Sequence, residues 1–389
     1  MIKHIKSNLV YYSFFFFIFF IITSIINIGW QATWYKLYIP SLLPPHFDLR
    51  FYQYPAFAIN EGRDPLFSTH ELWVPTDGPY SGIAKYFLPS FKFAYFLNFH
   101  KEVYFLTFAL LIIINYIFCT YKLLTIKKNS FWIIILFFSN SSLLAIERTN
   151  NDLIIFSLLF WTAVFPNIIG IILNLLAVYI EIWPIFAGIS FIKKKIKILL
   201  IILFFIFFII FFKEIFDVKM VPVSSDYLSF GAKSTSVAIK TQYGLAINYI
   251  NIVIILFFIT LITLIKKLNF FKLEFKKNPS DLEERLFLIG SSIYILLFII
   301  ASNVDYKLIF LIFCVPYLSR LKNNINKYFI LIAMVLASNW TIMSLNDVAS
   351  FGALINMIIK CLIFITLLNL LIKYLVNFYK NFGIKKFFI

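Results

Sequence analysis

The sequence predicts an all-α membrane protein, a polytopic bundle of about 10–12 transmembrane or partly inserted helices. Three observations carry this. Of 389 residues, 61% are hydrophobic, 20% aromatic and only 14% charged, with a mean hydropathy of +0.89. A soluble domain of that balance has too little polar surface to meet water. Apolar runs of ~18 or more residues, the length that crosses a bilayer as a helix, recur from end to end. These runs are continuous, whereas the strands of an outer-membrane barrel alternate polar and apolar residues.

The first run, Val10–Ile28, is too long and too poor in small-residue cleavage signals for a removed leader, so a retained helix over 9–29 is expected. Further spans are expected over 103–122, 131–146, 152–165, 168–181, 183–192, 198–212, 245–265, 286–302, 308–318, 328–345 and 354–376. Several of these are too short to cross a core of ~30 Å at ~1.5 Å per residue. Broken or partly inserted helices are therefore expected at 131–192 and 303–318, where neighbouring helices can bury them. All of it reads as a single integral membrane domain, 1–389.

The net charge of +17 finds its explanation in topology and not in nucleic acid. With Lys3 and Lys6 cytoplasmic, the loops 122–130, 193–197 (KKKIK), 266–285, 319–327 and the C-terminal tail fall inside. They carry most of the Lys and Arg, but only Glu274, Asp281, Glu283 and Glu284 among the acids. This is the positive-inside pattern. It makes 266–285 a basic cytoplasmic loop and gathers the acids on the non-cytoplasmic face; a bacterial cell (inner or plasma) membrane is the expected location. Cys119, Cys314 and Cys361 show no paired spacing, and His4, His46, His70 and His100 form no ligand motif. No Gly-rich phosphate loop, HExxH or GxSxG is present.

Three outer segments stand out. The loop 30–102, the longest, holds "HFDLRFYQYPAFAINEGRDPLF" (46–67), then "STHELWVPTDGPYSG", then "KYFLPSFKFAYFLNF". The last mixes Lys with aromatics, the pattern of a helix lying in the interface. Asp48, close after the first span and among aromatics, is a candidate general base if desolvation raises its pKa; a solvated loop acid is the plainer alternative. In "ERTNND" (147–152), Asn150 or Asn151 suits the cap of a helix starting near Asp152, and Asp152 suits its positive end. Glu147 and Arg148, at the end of an apolar segment, have no such local reason and mark a functional position. In "SNVDYK" (302–307), Asn303 or Asp305 suits a cap. Lys307 either snorkels or, with Arg148, binds phosphate. "YIEIWPIF" (179–186) breaks at Pro184 and leaves Glu181 at the break.

The order of these motifs resembles the C-type (GT-C) superfamily of multi-spanning glycosyltransferases, most of all its family 87 mannosyltransferase-like group. The span followed by Asp48, Tyr52, Tyr54 and Gly62-Arg63-Asp64-Pro65-Leu66 is similar to the group's first outer loop. "ERTNND" is similar to its ERGNxD segment, with Thr149 for Gly. "LAVYIEIWPIF" is similar to its Lys-x-x-Pro break, with Glu181 for Lys. "SSDYLSFG" and "SNVDYKLIFLIFCVP" are similar to its later SFG and NxDYRLIFL pieces, with Lys307 for Arg.

The resemblance implies an inverting hexosyl transfer, mannosyl-like, from a polyprenyl-phosphate-sugar donor to a glycan or glycolipid acceptor on the non-cytoplasmic face. It makes Asp48 the catalytic base and Tyr52 and Tyr54 stacking residues for sugar or prenyl. Glu147, Arg148, Asp152, Asp305 and Lys307 become substrate-binding residues, with the leaving phosphate at Arg148 or Lys307. Some members of the superfamily use a divalent cation, Mg or Mn, for which Asp48 with Glu147 or Asp152 is the available pair; no dedicated metal site is expected. Membrane lipid is a partner and nucleic acid is not. The competing reading is a flippase, polymerase or transporter of lipid-linked saccharides. Against it stand the lack of an inverted repeat and the crowding of acids on one face instead of the midplane.

Overall fold

A computed structural model describes residues 2–62, 88–126, 130–192, 202–206, 209, 229–265, 275, 278–300, 303–322, 325–339 and 349–382. The turn beyond Gly62, the 68–82 stretch, the KKKIK loop, most of 198–212, the 224–228 stretch, residues 340–345, most of the 266–277 loop and the tail beyond 382 lie outside the described residues. The chain forms two compact units, Met1–Pro222 and Val223–Ile389.

The first unit begins with α1 (Ile2–Ile28), whose apolar run stops at Gly29, a left-handed position with φ 85°. There α2 (Trp30–Lys36) starts. Phe15, Phe16, Phe17, Phe19 and Phe20 on α1 are all exposed. So long an uncovered apolar surface needs lipid as its solvent. One face of α1 does pack: Phe14 is buried against Phe137, with ring centroids 4.9 Å apart.

After α3 (Phe47–Asn60) and α4 (Leu88–Phe96), the second long helix is α5 (Glu102–Thr125). Its buried residues Phe105, Ala109, Ile112, Tyr116, Cys119 and Leu123 alternate by three and four, one stripe of an α-helix. Val103, Leu110, Leu111 and Ile114 on other faces are exposed, so both sides are apolar, as lipid requires. Tyr116 meets Phe137 and Phe156, and its hydroxyl lies 3.0 Å from Ser142 Oγ.

Then come α6 (Ser130–Phe137), α7 (Asn140–Arg148), α8 (Asn151–Val164) and α9 (Ile168–Ile180). A 3₁₀ helix, Trp183–Phe191, opens at Pro184, where the chain was expected to break. The amphipathic stretch 85–99 does hold a helix: α4 buries Phe91 and Ala94 and exposes Phe93 and Phe96.

In the second unit, β1 (Ser229–Phe230) and β2 (Asn303–Val304) make a two-residue antiparallel ladder. The rest is helical: α10 (Ala232–Tyr243), α11 (Tyr249–Ile265), α12 (Asp281–Ile300), a 3₁₀ helix over Asp305–Cys314, α13 (Val315–Leu318), α14 (Ile325–Ser338) and α15 (Ala349–Phe382). The 3₁₀ helix lies directly on α12. A Cβ at Gly290 would come within 2.7 Å of the Phe310 carbonyl oxygen and 2.9 Å of Cys314 Sγ, so only Gly lets the two approach.

Among the described residues, three helices are long and apolar enough to cross a membrane: Leu9–Ile28, Glu102–Thr125 and Leu354–Phe378. Phe131–Phe137 and Asn140–Arg148, bent by 48°, make a fourth if taken as one broken span. The described residues are thus nearly all helical, with three spanning candidates or four if the bent pair is one span. Asn151–Val164, Ile168–Ile180, Tyr249–Leu264 and Lys327–Ser338 are apolar but short; fourteen residues of helix reach only ~21 Å.

Candidate functional site

The site in the first unit is built where α7 hands over to α8. Helix α7 ends with Glu147 and Arg148, and Thr149 adopts the left-handed conformation (φ 45°, ψ 53°) that stops it. Asn150 then caps α8, its Oδ1 accepting the Asp152 N–H at 2.9 Å. The capping role foreseen for Asn150 or Asn151 falls to Asn150. This turn faces the start of α3, and three successive residues of it each bind an α3-end side chain. Thr149 Oγ1 lies 2.7 Å from His46 Nδ1. Asn150 Nδ2 donates to Asp48 Oδ2 at 2.7 Å. Asn151 Nδ2 donates to the Tyr52 hydroxyl at 2.5 Å. Asp48 and Tyr52, one helical turn apart, share one face of α3.

Arg148 completes the arrangement. Its Nη1 stands 3.6 Å from Asp48 Oδ1, its Nε 3.3 Å from Glu147 Oε2, and its Nη2 3.5 Å from the Pro40 carbonyl. Glu147 is wholly buried. Its Oε1 accepts from Ser41 Oγ (2.8 Å) and from the Leu42 N–H (3.1 Å). Glu147 thereby anchors the loop between α2 and α3, and that loop carries Asp48 to the turn.

Asp48 is 8% exposed. Burial is the largest influence on it and pushes its carboxyl above the usual range. The Arg148 cation and the Asn150 hydrogen bond pull the other way, and Glu181 adds to the rise. His46 is pushed down to about 4, mainly by burial and then by Arg50, so its imidazole is neutral near pH 7. The result is a desolvated carboxylate held between an amide and a guanidinium.

The remaining expected residues fall as follows. Asp152 is fully buried in the first turn of α8. Tyr54 lies two residues beyond Tyr52, ~200° around the helix, on the side where Arg50 and Glu102 act on it. Those two form an ion pair at 2.9 Å, with Gln53 donating to Glu102 at 2.7 Å. Glu181 accepts from Trp183 Nε1. Asp305 and Lys307 belong to the second unit. There Asp305 opens the 3₁₀ helix, fully buried, and both of its oxygens take Lys360 Nζ, at 2.8 and 2.7 Å. Lys307 is half-buried on the same 3₁₀ helix.

A divalent cation does not fit this arrangement. Among the described residues no three His, Cys, Asp or Glu side chains gather as ligands. Asp48 and Glu147 both face the Arg148 guanidinium, which repels a second cation, and Glu147 Oε1 is already taken.

No protein-family model, no curated protein and no solved structure matches this chain. The chemistry therefore rests on the geometry. A buried carboxylate with a raised pKa can accept a proton from a hydroxyl, and a cation 3.6 Å away can neutralise an anion that forms beside it.

Sequence reasoning missed the partners. Ser41 and His46 carried no signal. Lys360 did: it is a lone charge inside a spanning apolar run, which ordinarily marks a paired or functional residue.

Proposed function

We propose that this chain is a membrane glycosyltransferase with a GT-C-like arrangement. It moves a hexosyl, mannosyl-like residue from a polyprenyl-phosphate-sugar donor to a glycan or glycolipid acceptor on the non-cytoplasmic face of a cell membrane. The single observation that carries the reading is the Asp48–Asn150–Arg148 constellation at the head of α3, shortly after the first spanning helix. Asp48 takes the proton of the acceptor hydroxyl as its oxygen attacks the anomeric carbon from the face opposite the phosphate. The bond from the anomeric carbon to the phosphate oxygen breaks, and the configuration inverts. The electron pair leaves with the polyprenyl phosphate, whose charge Arg148 neutralises. The lipid tail stays in the bilayer beside α1 and α5. Tyr52, held by Asn151 on the same face as Asp48, borders the sugar.

A second reading, a transporter of lipid-linked saccharides, draws on a different observation. In the second unit the Lys360–Asp305 pair is buried, and Lys360 lies inside the spanning segment Leu354–Phe378. Charges at such depth often serve transport. Purified protein incubated with a panel of polyprenyl-phosphate hexoses and a glycolipid acceptor separates the two. Conversion of donor to free polyprenyl phosphate supports transfer. Movement of intact lipid-linked sugar across proteoliposomes, without donor consumption, supports transport.

A further inference from the structure

Asn150 has a role beyond the cap. Its side chain is 4% exposed and both of its ends are engaged. Oδ1 accepts the Asp152 N–H, so the amide is locked with Nδ2 turned toward α3. Nδ2 then donates to one oxygen of Asp48, Oδ2, at 2.7 Å. The other oxygen, Oδ1, faces Arg148 at 3.6 Å, too far for a hydrogen bond. One carboxylate oxygen is thus pinned to the helix terminus, and the second is turned toward the cation. Thr149 with His46 and Asn151 with Tyr52 fasten α3 on either side of this contact.

We infer that Asn150 is the positioning residue of the site: by binding Asp48 Oδ2 it fixes Asp48 Oδ1 as the oxygen that meets the acceptor hydroxyl beside Arg148. The inference rests on the proposed glycosyl transfer for its catalytic meaning, but its structural core can be measured without turnover. A second consequence follows from the bond itself. A donor to the ionised carboxylate favours that form, so loss of the bond raises the Asp48 pKa further. The other charged groups acting on Asp48 are Arg148, which opposes the rise, and Glu181, which adds to it.

The test separates capping from positioning. Asn150→Ser retains a good helix cap but is too short to reach Asp48. Asn150→Asp also caps, and sets a second carboxylate against Asp48. In full-length protein labelled with ¹³C-aspartate, the Asp48 carboxyl band is identified by infrared difference against Asp48→Asn and titrated. The expected result is a midpoint higher than wild type by about one unit in Asn150→Ser, and by more in Asn150→Asp. Transfer below the midpoint should fall about tenfold or more through kcat with KM little changed, and recover only in part as pH rises, because ionisation does not restore the orientation of Oδ1. An Asp48 midpoint in Asn150→Ser equal to wild type overturns the inference, as does a rate that higher pH restores fully to wild type, because that leaves no orienting role for Asn150. If wild-type protein consumes no donor at all, the glycosyltransferase reading fails, and the infrared titration still decides whether Asn150 governs Asp48.

Discussion

Arg148 and Asp48, a hundred residues apart in sequence, stand with Nη1 3.6 Å from Oδ1, and each is also held by a separate contact. Arg148 reaches the Pro40 carbonyl and Glu147, while Asp48 takes Asn150. The pair is close enough for strong attraction but not closed into a hydrogen-bonded bridge. In the proposed transfer, the acceptor hydroxyl and the leaving phosphate meet this pair.

In the proposed transfer, Arg148→Ala removes the cation that meets the departing phosphate. Donor affinity and turnover should both fall, with kcat lower by about 10²–10³, the usual cost of losing one electrostatic stabiliser of the transition state. Steady-state kinetics over a range of donor concentrations checks this. A loss in KM alone would give Arg148 a role in ground-state binding only.

The pH dependence follows from Asp48. Its carboxyl is raised above the ordinary value by burial, and in the proposed role of base it must be ionised. The acid limb of the kcat profile should therefore fall off at a pH above the ordinary carboxylate range. Activity rises with pH through that limb. A limb at or below the ordinary aspartate value of 3.8 would mean that Asp48 is not desolvated during turnover.

His46 sets a stability window. Its folded pKa of about 4 lies below the ordinary histidine value of 6.5, so between those values the unfolded chain binds a proton that the native chain does not. Stability is full above 6.5 and is lost as pH falls toward 4, by about 3 kcal/mol at most. Thermal unfolding of wild type and His46→Gln in detergent, scanned between those pH values, checks it. The slope should flatten in the variant.

In the second unit, Lys360→Met leaves Asp305 buried without its cation. The expected cost is about 3–5 kcal/mol. The double change Lys360→Met with Asp305→Leu should recover most of that, because it removes both charges. Unfolding midpoints of the two variants provide the comparison.

Much of the helical layout was legible, because lipid-facing and buried helices share one signal, an unbroken apolar run. Pro184 marked its break and Asn150 its cap for local reasons, written within a few residues. The short segments were legible as well. The expected segment 152–165 and the expected cap at Asn150 or Asn151 match α8, which runs from Asn151 to Val164 between Asn150 and Phe165. The site was half legible. Asp48, Glu147 and Arg148 stood out as charges beside apolar segments. Their partners Asn150 and Ser41 are ordinary polar residues, and periodicity carries no information about which of them meets a carboxylate a hundred residues away. Tyr54 shows the same gap: its alternation with Tyr52 looks like a pair, but helical rotation sends the two to different faces of α3.

The central claim is tested most directly by donor consumption in Asp48→Asn. Asn is nearly isosteric and cannot take the acceptor's proton, so the protein should insert and unfold as wild type does. Transfer from polyprenyl-phosphate hexose, followed as release of polyprenyl phosphate, should fall by about 10²–10⁴. Near-wild-type transfer by Asp48→Asn, in protein with an unchanged unfolding midpoint, would contradict the account.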